Sequence, residues 1–343
     1  MFNKNTILRF LTFPHTLVNG GRRGFYRHFL SFGLLISFLF ILPSCSWWNK
    51  DVPPVPDTGY RKMLELQKQK AAALDKEINV SKKLPEPDAE EIERLGDQHI
   101  RQGDMNMAFV YYDKAIRMDS KRNTARYKLG RLCIMKGLND EAGRQFDQIL
   151  KNDPKYALAF EGKGRVFLVQ GKLDEAKQQF KESLTLNPDL WQSFCYMGMV
   201  ADRQNKYNEA IEYYQKAIAI NPNSNILFNN LGMSYLLMGE GEKALQAFIL
   251  AAKQDPENKK TYNNMGLVLG KLGRYEASLN AFKKAGDEAS AYNNIGCVYL
   301  AQKKYEQALA SFQKAIEINP KYYEKARENM KYAEESIKVS NIE

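Results

Sequence analysis

Residues 191–224 read WQSFCYMGMVADRQNKYNEAIEYYQKAIAINPNS, and four positions of this stretch recur along most of the chain. They are the glycine Gly198, the small residue Ala210, the aromatic residue Tyr214 and the proline Pro222. Neighbouring copies repeat these residue types at an interval of 34 residues, a period typical of stacked helical hairpins. Three positions that agree over seven copies and a fourth that agrees over five predict an all-α repeat protein.

The recurring residues form four columns, and each column has a physical role. A glycine in the first helix and a small residue in the second let the two helices of a hairpin approach closely. The glycines are Gly96, Gly130, Gly164, Gly198, Gly232, Gly266 and Gly296. The small residues are Ala108, Ala142, Ala176, Ala210, Ala244, Ser278 and Ala308.

The other two columns concern the space between hairpins. The aromatic residues are Tyr112, Phe146, Phe180, Tyr214, Phe248, Phe282 and Phe312, and we expect them to fill the space before the next hairpin. The prolines are Pro154, Pro188, Pro222, Pro256 and Pro320. Because a residue before proline avoids the α-helical region, each second helix should end there. Glycines in the short turns, Gly103, Gly137, Gly171, Gly239 and Gly273, suit left-handed helix caps.

This pattern resembles the tetratricopeptide repeat, a 34-residue helix–turn–helix unit. The resemblance implies a right-handed superhelix, or α-solenoid, in which stacked neighbours bury the apolar face that one hairpin cannot bury alone. We expect seven repeats, followed at 323–343 by a capping helix and tail. The repeats are predicted at 89–122, 123–156, 157–190, 191–224, 225–258, 259–288 and 289–322.

The sixth copy is shorter than the others. Gly266 and Gly296 are 30 residues apart, and the loss falls at 285–288, where the proline is also missing. Four residues are about one turn of α-helix. The second helix of this repeat should therefore be a turn short, with a local change of superhelix pitch between copies six and seven.

The front of the chain has the marks of an export signal. Residues 1–44 contain five basic residues and no acidic ones, and an uncharged run, FLSFGLLISFLFI, fills 29–41. This run is too short for a comfortable membrane span, which needs about 20 residues. We therefore predict a signal peptide over 1–44. An uncleaved signal anchor is the alternative, and translation could also start downstream, at Val18.

The end of this signal, Leu42-Pro43-Ser44-Cys45, resembles the bacterial lipobox, although Pro43 departs from the usual pattern. The resemblance implies that Cys45 becomes the lipidated amino terminus. Since Ser46 rather than Asp follows, it also implies anchoring in the outer membrane, on the periplasmic face. We interpret residues 45–88 as a Pro- and Lys-rich tether. A helical stretch at 60–78 could fold back on the first repeat, self-associate weakly, or serve as a solvated spacer, which we favour.

The remaining composition argues against catalysis and against nucleic acid. Five of the ten excess positive charges lie in residues 1–44, which leaves a mild charge without the clustered basic face of nucleic-acid binders. After Cys45 the only histidine is His99, which we interpret as a packed ring. No metal-binding motif is present, and we expect no cofactor and no small-molecule substrate. We interpret Cys133, Cys195 and Cys297 as buried apolar residues.

What remains is a surface for protein partners. The resemblance implies a concave groove lined by the first helices, including the residues three and two before each glycine. In the last three copies these pairs are asparagines: Asn229, Asn230, Asn263, Asn264, Asn293 and Asn294. An amide both donates and accepts, so this ladder could pair with the backbone of an extended peptide. Asparagine at this place also occurs for helix packing alone. Towards the other end, Lys128, Arg131 and Arg165 could meet carboxylates.

The C-terminal segment from Gly286, GDEASAYNNIGCVYLAQKKYEQALASFQKAIEINPKYYEKARENM, is similar to TadD-type lipoproteins of the Flp (tight-adherence) pilus system. This resemblance implies a membrane-anchored, non-enzymatic scaffold for pilus or secretin assembly, with pilus or secretin components as partners. A scaffold for another secretion or cell-wall machine is the main alternative. A lipid-tethered regulator of an enzyme is the other.

Overall fold

A computed structural model describes residues 87–340 together with residues 65 and 69. The predicted signal peptide, Cys45 and nearly all of the predicted tether lie outside the described residues. The described part is helical throughout and contains no strand. It consists of seven successive pairs of helices followed by one longer helix. The all-α repeat fold expected from the sequence is thereby confirmed.

The helices are numbered here in chain order. They are α1 (Ala89–Arg101), α2 (Met105–Met118), α3 (Asn123–Met135), α4 (Asn139–Asn152), α5 (Ala157–Val169), α6 (Leu173–Leu186), α7 (Trp191–Arg203), α8 (Tyr207–Ile220), α9 (Asn225–Met238), α10 (Gly241–Gln254), α11 (Lys259–Lys271), α12 (Tyr275–Ala285), α13 (Glu288–Ala301), α14 (Tyr305–Ile318) and α15 (Tyr323–Ser340). A short 3₁₀ turn, Pro320–Tyr322, precedes α15.

The chain divides into two compact units within α9, the N-terminal unit ending at Leu227 and the C-terminal unit beginning at Phe228. In the N-terminal unit α1 packs on α2, α3 on α4, α5 on α6 and α7 on α8, and each second helix also contacts the first helix of the next pair. In the C-terminal unit α11 packs on α12 and α13 on α14, and α15 covers α13 and α14. Each unit is therefore built by repeated stacking of neighbours.

A glycine and an aromatic ring meet inside every hairpin. A Cβ atom placed on any of the seven column glycines would lie 2.5–2.7 Å from the aromatic ring of the same repeat. The rings are 0–3% exposed, so each contributes on the order of 2–3 kcal/mol of apolar burial. The sequence argument assigned these rings to the space before the next hairpin. The Phe146 ring does reach Gly162 of the following repeat, but the contact that recurs in all seven copies is with the repeat's own glycine.

The predicted helix ends are confirmed. The second helices stop before the aspartate or asparagine that precedes each proline, and these residues have extended backbone, as at Asp153 (φ −142°, ψ 96°). The five turn glycines have φ between 75° and 91°. In the fourth and seventh hairpins Asn205 and Lys303 take the same left-handed conformation.

The shortened sixth copy is accommodated in α12. This helix has 11 residues, whereas every other second helix has 14. Without a proline, the chain turns at Gly286 and starts α13 at once. The Asp287 side chain caps α13 by accepting a 2.7 Å hydrogen bond from the backbone N–H of Ser290. A local cap therefore replaces the usual connection.

Two glycines of the second hairpin give a matched test of the glycine–ring contact. Gly130→Ala should destabilise the protein by about 1–3 kcal/mol, because the new Cβ has no room beside Phe146. Gly143→Ala, on the partner helix of the same hairpin with nothing within 4 Å, should stabilise it by about 0.5–1 kcal/mol. Urea unfolding followed by circular dichroism measures both. Equal effects of the two changes would contradict the proposed role of the contact.

Candidate functional site

The first helices of consecutive repeats form one face of each unit, here called the first-helix face. Its positions are counted from the column glycine of each repeat: three before, two before and one after. In the N-terminal unit α1, α3, α5 and α7 supply it, and in the C-terminal unit α9, α11 and α13 do so. All nine residues predicted for the peptide-binding groove occupy these positions.

One pairing occurs once on this face in the N-terminal unit and twice in the C-terminal unit. The side chain three before the glycine of one repeat meets the side chain two before the glycine of the next repeat. Glu93 and Lys128 make this pair at 2.6 Å. Asn264 Nδ2 donates to Asn229 Oδ1 at 3.4 Å. A longer contact of 3.5 Å joins Asn294 Nδ2 to Asn263 Oδ1. The same two positions therefore link neighbouring repeats with charges in one unit and with amides in the other.

Half of the asparagine ladder is buried. Asn229, Asn230 and Asn264 are only 6%, 0% and 4% exposed. Asn229 Nδ2 also donates to Thr261 Oγ1 at 2.7 Å. Both the oxygen and the nitrogen of the Asn229 amide are therefore hydrogen-bonded to residues of α11, the first helix of the next repeat. These bonds hold the fifth and sixth repeats together, because a buried amide that lost them would carry a desolvation penalty of about 1–3 kcal/mol.

The other three asparagines are more accessible. Asn263, Asn293 and Asn294 are half-buried. The Asn293 Oδ1 atom has no hydrogen-bond partner among the described residues, although the atom itself is buried. Peptide binding by the ladder stays a prediction, and these three residues are the members of it that are not fully buried.

In the first two repeats the predicted basic residue Lys128 already has carboxylate partners. Its Nζ lies 2.6 Å from Glu93 Oε1 and 2.7 Å from Asp97 Oδ2. Asp97 also accepts a 2.8 Å hydrogen bond from the Tyr112 hydroxyl. Glu93 is 4% exposed and accepts further hydrogen bonds from Thr124 and Arg122. Burial alone would raise the pKa of Glu93, but hydrogen bonds from Lys128, Thr124 and Arg122 outweigh it and lower that pKa.

A second buried carboxylate lies between the second and third repeats. Glu161 is 2% exposed and accepts a 2.9 Å hydrogen bond from the Tyr127 hydroxyl. Arg165 Nη1 lies 3.7 Å from Glu161 Oε1, beyond hydrogen-bonding distance. Burial raises the pKa of Glu161, and the nearby Arg165, Tyr127 and Arg131 only partly offset this effect. Its surroundings therefore disfavour the charged form of Glu161, whereas those of Glu93 favour the charged form.

The two arginines predicted for this region lie beside aromatic rings. Arg131 is exposed, and its guanidinium carbon is 5.8 Å from the centre of the Tyr127 ring. Arg165 has a side chain that is 12% exposed and lies 5.3 Å from the centre of the Tyr196 ring. Both residues follow a column glycine directly, so they occupy equivalent places in adjacent repeats. Together they give this end of the first-helix face two guanidinium groups.

Sequence reasoning missed the acidic partners of these cations. Glu93 and Glu161 stand three residues before the column glycines of their repeats, and Lys128 stands two residues before Gly130, the column glycine of the repeat after that of Glu93. An acid and a base 35 residues apart in a 34-residue repeat therefore carried a signal of their own. The basic residues were considered by themselves, and their carboxylate neighbours were not weighed against them.

Other residues singled out in the sequence have structural roles. His99 stacks on Tyr111 with ring centres 5.1 Å apart, as expected for a packed ring. Cys133, Cys195 and Cys297 are free and buried, and burial raises the pKa of the Cys297 thiol to about 12. Among the described residues no group of acidic, histidine or cysteine side chains is arranged to hold a metal. None of the described helices has the length and apolar character needed to cross a membrane.

The two buried glutamates give opposite predictions for stability against pH. The folded protein holds the pKa of Glu93 below its ordinary value of 4.5. The ionised carboxylate therefore stabilises the fold at pH values above 4.5, and this stabilisation is lost as the pH falls below that value. The raised pKa of Glu161 has the opposite effect on stability. As the pH rises above 4.5, the unfolded chain ionises this group more readily than the folded protein does, so the free energy of unfolding falls. Glu93→Gln should therefore cost about 1.5–3 kcal/mol at pH 7. Glu161→Gln should be neutral or stabilising there, with its advantage shrinking towards pH 5.

Urea unfolding of both variants and the parent protein between pH 5 and pH 8 measures these differences. Similar losses of unfolding free energy for the two variants at pH 7 would contradict the assignment of opposite roles.

Comparisons with known proteins agree with the geometry. Tetratricopeptide repeat models match residues 94–157, 136–190, 191–224, 260–285 and 289–322, which together make up more than half of the chain. No curated protein matches the chain. Tetratricopeptide proteins act in general as scaffolds for contacts between proteins.

Several solved structures are similar in fold. The Cut9–Hcn1 heterotetramer of the APC/C is 19% identical with a TM-score of 0.56, over 80% of this chain and 55% of that chain. A tetratricopeptide protein from Parabacteroides merdae is 19% identical with a TM-score of 0.48, over 71% of this chain and 98% of that chain. PilF from Pseudomonas aeruginosa is 19% identical with a TM-score of 0.48, over 58% and 92%. On the repeat matches and the helical hairpins, this chain belongs to the tetratricopeptide repeat family.

Proposed function

We propose that this protein is a lipid-anchored periplasmic scaffold that binds protein partners through its first-helix face. The observation that carries the binding role is the set of accessible amides in the C-terminal unit. Asn263, Asn293 and Asn294 are half-buried, whereas the other three asparagines of the ladder are buried. An extended peptide backbone offers N–H donors and C=O acceptors with which an accessible amide can pair, without regard to the sequence of the peptide.

The compartment is supported by the front of the chain. A basic, acid-free segment, an uncharged run at 29–41 and the sequence Leu42-Pro43-Ser44-Cys45 favour export, cleavage before Cys45 and lipidation of that cysteine. Ser46 at the next position favours the outer membrane. A scaffold held in this way would present its repeats to the periplasm.

The partners that we propose are components of an Flp pilus or of its secretin. The support is the similarity of the C-terminal segment from Gly286 to TadD-type lipoproteins, including the shortened sixth copy that ends in Gly286-Asp287-Glu288-Ala289. A scaffold for another envelope machine is the alternative. The identity of the proteins that crosslink to the first-helix face separates the two.

Lipidation can be tested by mass spectrometry of the protein made in a bacterium with an outer membrane. The mature protein should begin at a diacylglycerol-modified Cys45 and sediment with the outer membrane. Cys45→Ala should abolish the modification and leave the precursor uncleaved, whereas Cys133→Ala, a change at a buried cysteine, should leave both unaffected. An unmodified Cys45 in the parent protein would rule out the lipid anchor.

Partner binding can be tested with a photo-crosslinking amino acid placed in the native host at one of two asparagines of the sixth repeat. Asn263 lies on the first-helix face, and Asn280 is exposed on the second helix α12. Position 263 should yield adducts with a secretin or another pilus component, and position 280 should not, because only the former faces the bound segment.

Adducts at 263 with a different envelope protein would keep the scaffold but overturn the pilus assignment. Equal labelling at both positions, or none at 263, would overturn binding through this face.

A further inference from the structure

The first repeat differs from the other six on the outer side of its second helix, α2. Val110 stands two residues after the small column residue Ala108 and is only 3% exposed. The other six repeats all have an exposed side chain at this position: Arg144, Gln178, Glu212, Gln246, Asn280 and Ala310. The ordinary packing of a hairpin therefore leaves this position open, and in α2 it is closed.

A second residue on the same side of α2 is covered as well. Asp113 follows Val110 by three residues, so the two lie on one face of the helix. The Asp113 side chain is 19% exposed, whereas Asp147, the same residue type at the same position of α4, is 62% exposed although it pairs with Lys163. Val110 and Asp113 are here called the outer ridge of α2.

The described repeats do not account for this cover. Helices α4 and α6 contact the first helix of the next repeat just as α2 does, yet Arg144 of α4 and Gln178 of α6 stay exposed. The structure contains one chain, so a partner protein is not the cover. What sets the first repeat apart is that the tether, rather than another repeat, precedes it.

The tether offers a matching apolar surface at 60–78. Its two described residues, Glu65 and Gln69, are helical and exposed. Being four residues apart, they lie on the same face of a helix. At 3.6 residues per turn, the opposite face of a helix over 60–78 would carry Tyr60, Met63, Leu74 and Ile78. An amphipathic helix of this kind needs an apolar partner for its stripe.

The connection is long enough to bring this segment to α2. Ten residues, 79–88, join it to α1. In extended form they span at most about 35 Å. Helix α2 has 14 residues and is therefore about 21 Å long. The segment can thus lie alongside α2 without disturbing the first hairpin.

We propose that residues 60–78 form a helix whose apolar stripe packs on the outer ridge of α2. This part of the tether is then an additional element of the first repeat, and not the solvated spacer that the sequence alone favoured. The occupant of the ridge is a segment of this same chain. The contact does not depend on the partner or on the lipid anchor proposed above.

Docking of the segment sets how far the array can move from an anchor. With Cys45 lipidated, the 14 residues 46–59 would remain as a free linker, with a reach of at most about 50 Å. A fully free tether of 43 residues, 46–88, would reach about 150 Å. The docked helix therefore keeps the first repeat within a short distance of the membrane.

The first test places a photo-crosslinking amino acid in the full chain, purified in detergent, at position 113 or at position 147. Both positions carry aspartate on the outer side of a second helix. Position 113 should give crosslinks to peptides from 60–78, and position 147 should not. A mixture of isotope-labelled and unlabelled chains distinguishes links within one chain from links between two copies.

The second test measures hydrogen–deuterium exchange of the segment. Val110→Glu places a charge on the outer ridge, and α8 already carries Glu212 at this position, so α2 should remain folded. Backbone amides of 60–78 should exchange at least about tenfold faster in this variant than in the parent, because the segment loses its packing. Gln178→Glu, the same change on α6, should match the parent. Leu74→Glu, which leaves every repeat unaltered, should release the segment to the same extent.

Three outcomes would overturn the inference. Crosslinks from position 113 that join two copies would show self-association of the segment instead. Amides of 60–78 that exchange in the parent as fast as in an unstructured peptide would show a solvated spacer. Unchanged exchange in both Val110→Glu and Leu74→Glu would show that the outer ridge is not the docking surface. None of these outcomes bears on the crosslinks at position 263, which test the proposed function separately.

Discussion

The contact between a glycine of the first helix and an aromatic ring of the second is the constraint on which every hairpin depends. A Cβ on the glycine would stand 2.5–2.7 Å from the ring in all seven copies, so the two helices can take this spacing only with glycine at that position. The contact also fixes how each first helix is rotated about its axis. Within each unit the residues three and two before the glycine therefore occupy equivalent places in successive repeats, and they form one face of that unit.

On that face the two units use the same positions with different chemistry. Between neighbouring repeats the N-terminal unit pairs Glu93 with Lys128 at these positions, whereas the C-terminal unit pairs asparagines. Charged contacts respond to pH and salt, because protonation or screening changes their free energy. Amide contacts respond to neither. Binding at the charged positions should therefore depend on pH and salt, and binding at the amide positions should not.

The repeat columns made much of the fold predictable. The glycine, aromatic and proline columns predicted the helices, their ends and the short second helix of the sixth copy, because each of these depends on residues close together in the sequence. The partners of Lys128 and Arg165 were not foreseen. They depend on which side chains of neighbouring repeats meet, and a column of residue types does not say whether Asn230 is buried against the next helix or open to a ligand. Burial separated Asn230 from Asn263, although both belong to the same ladder.

The last helix bears on how arrays of this kind change their length. Helix α15 packs on α13 and α14 in the place of one more first helix, with Ala326 and Ala333 fully buried. At the position 34 residues after Gly296 it carries Met330, a half-buried side chain that packs against the terminal cluster where a glycine would admit another ring. The terminal helix therefore covers the last hairpin through contacts with that hairpin alone, and these contacts do not depend on how many hairpins come before it.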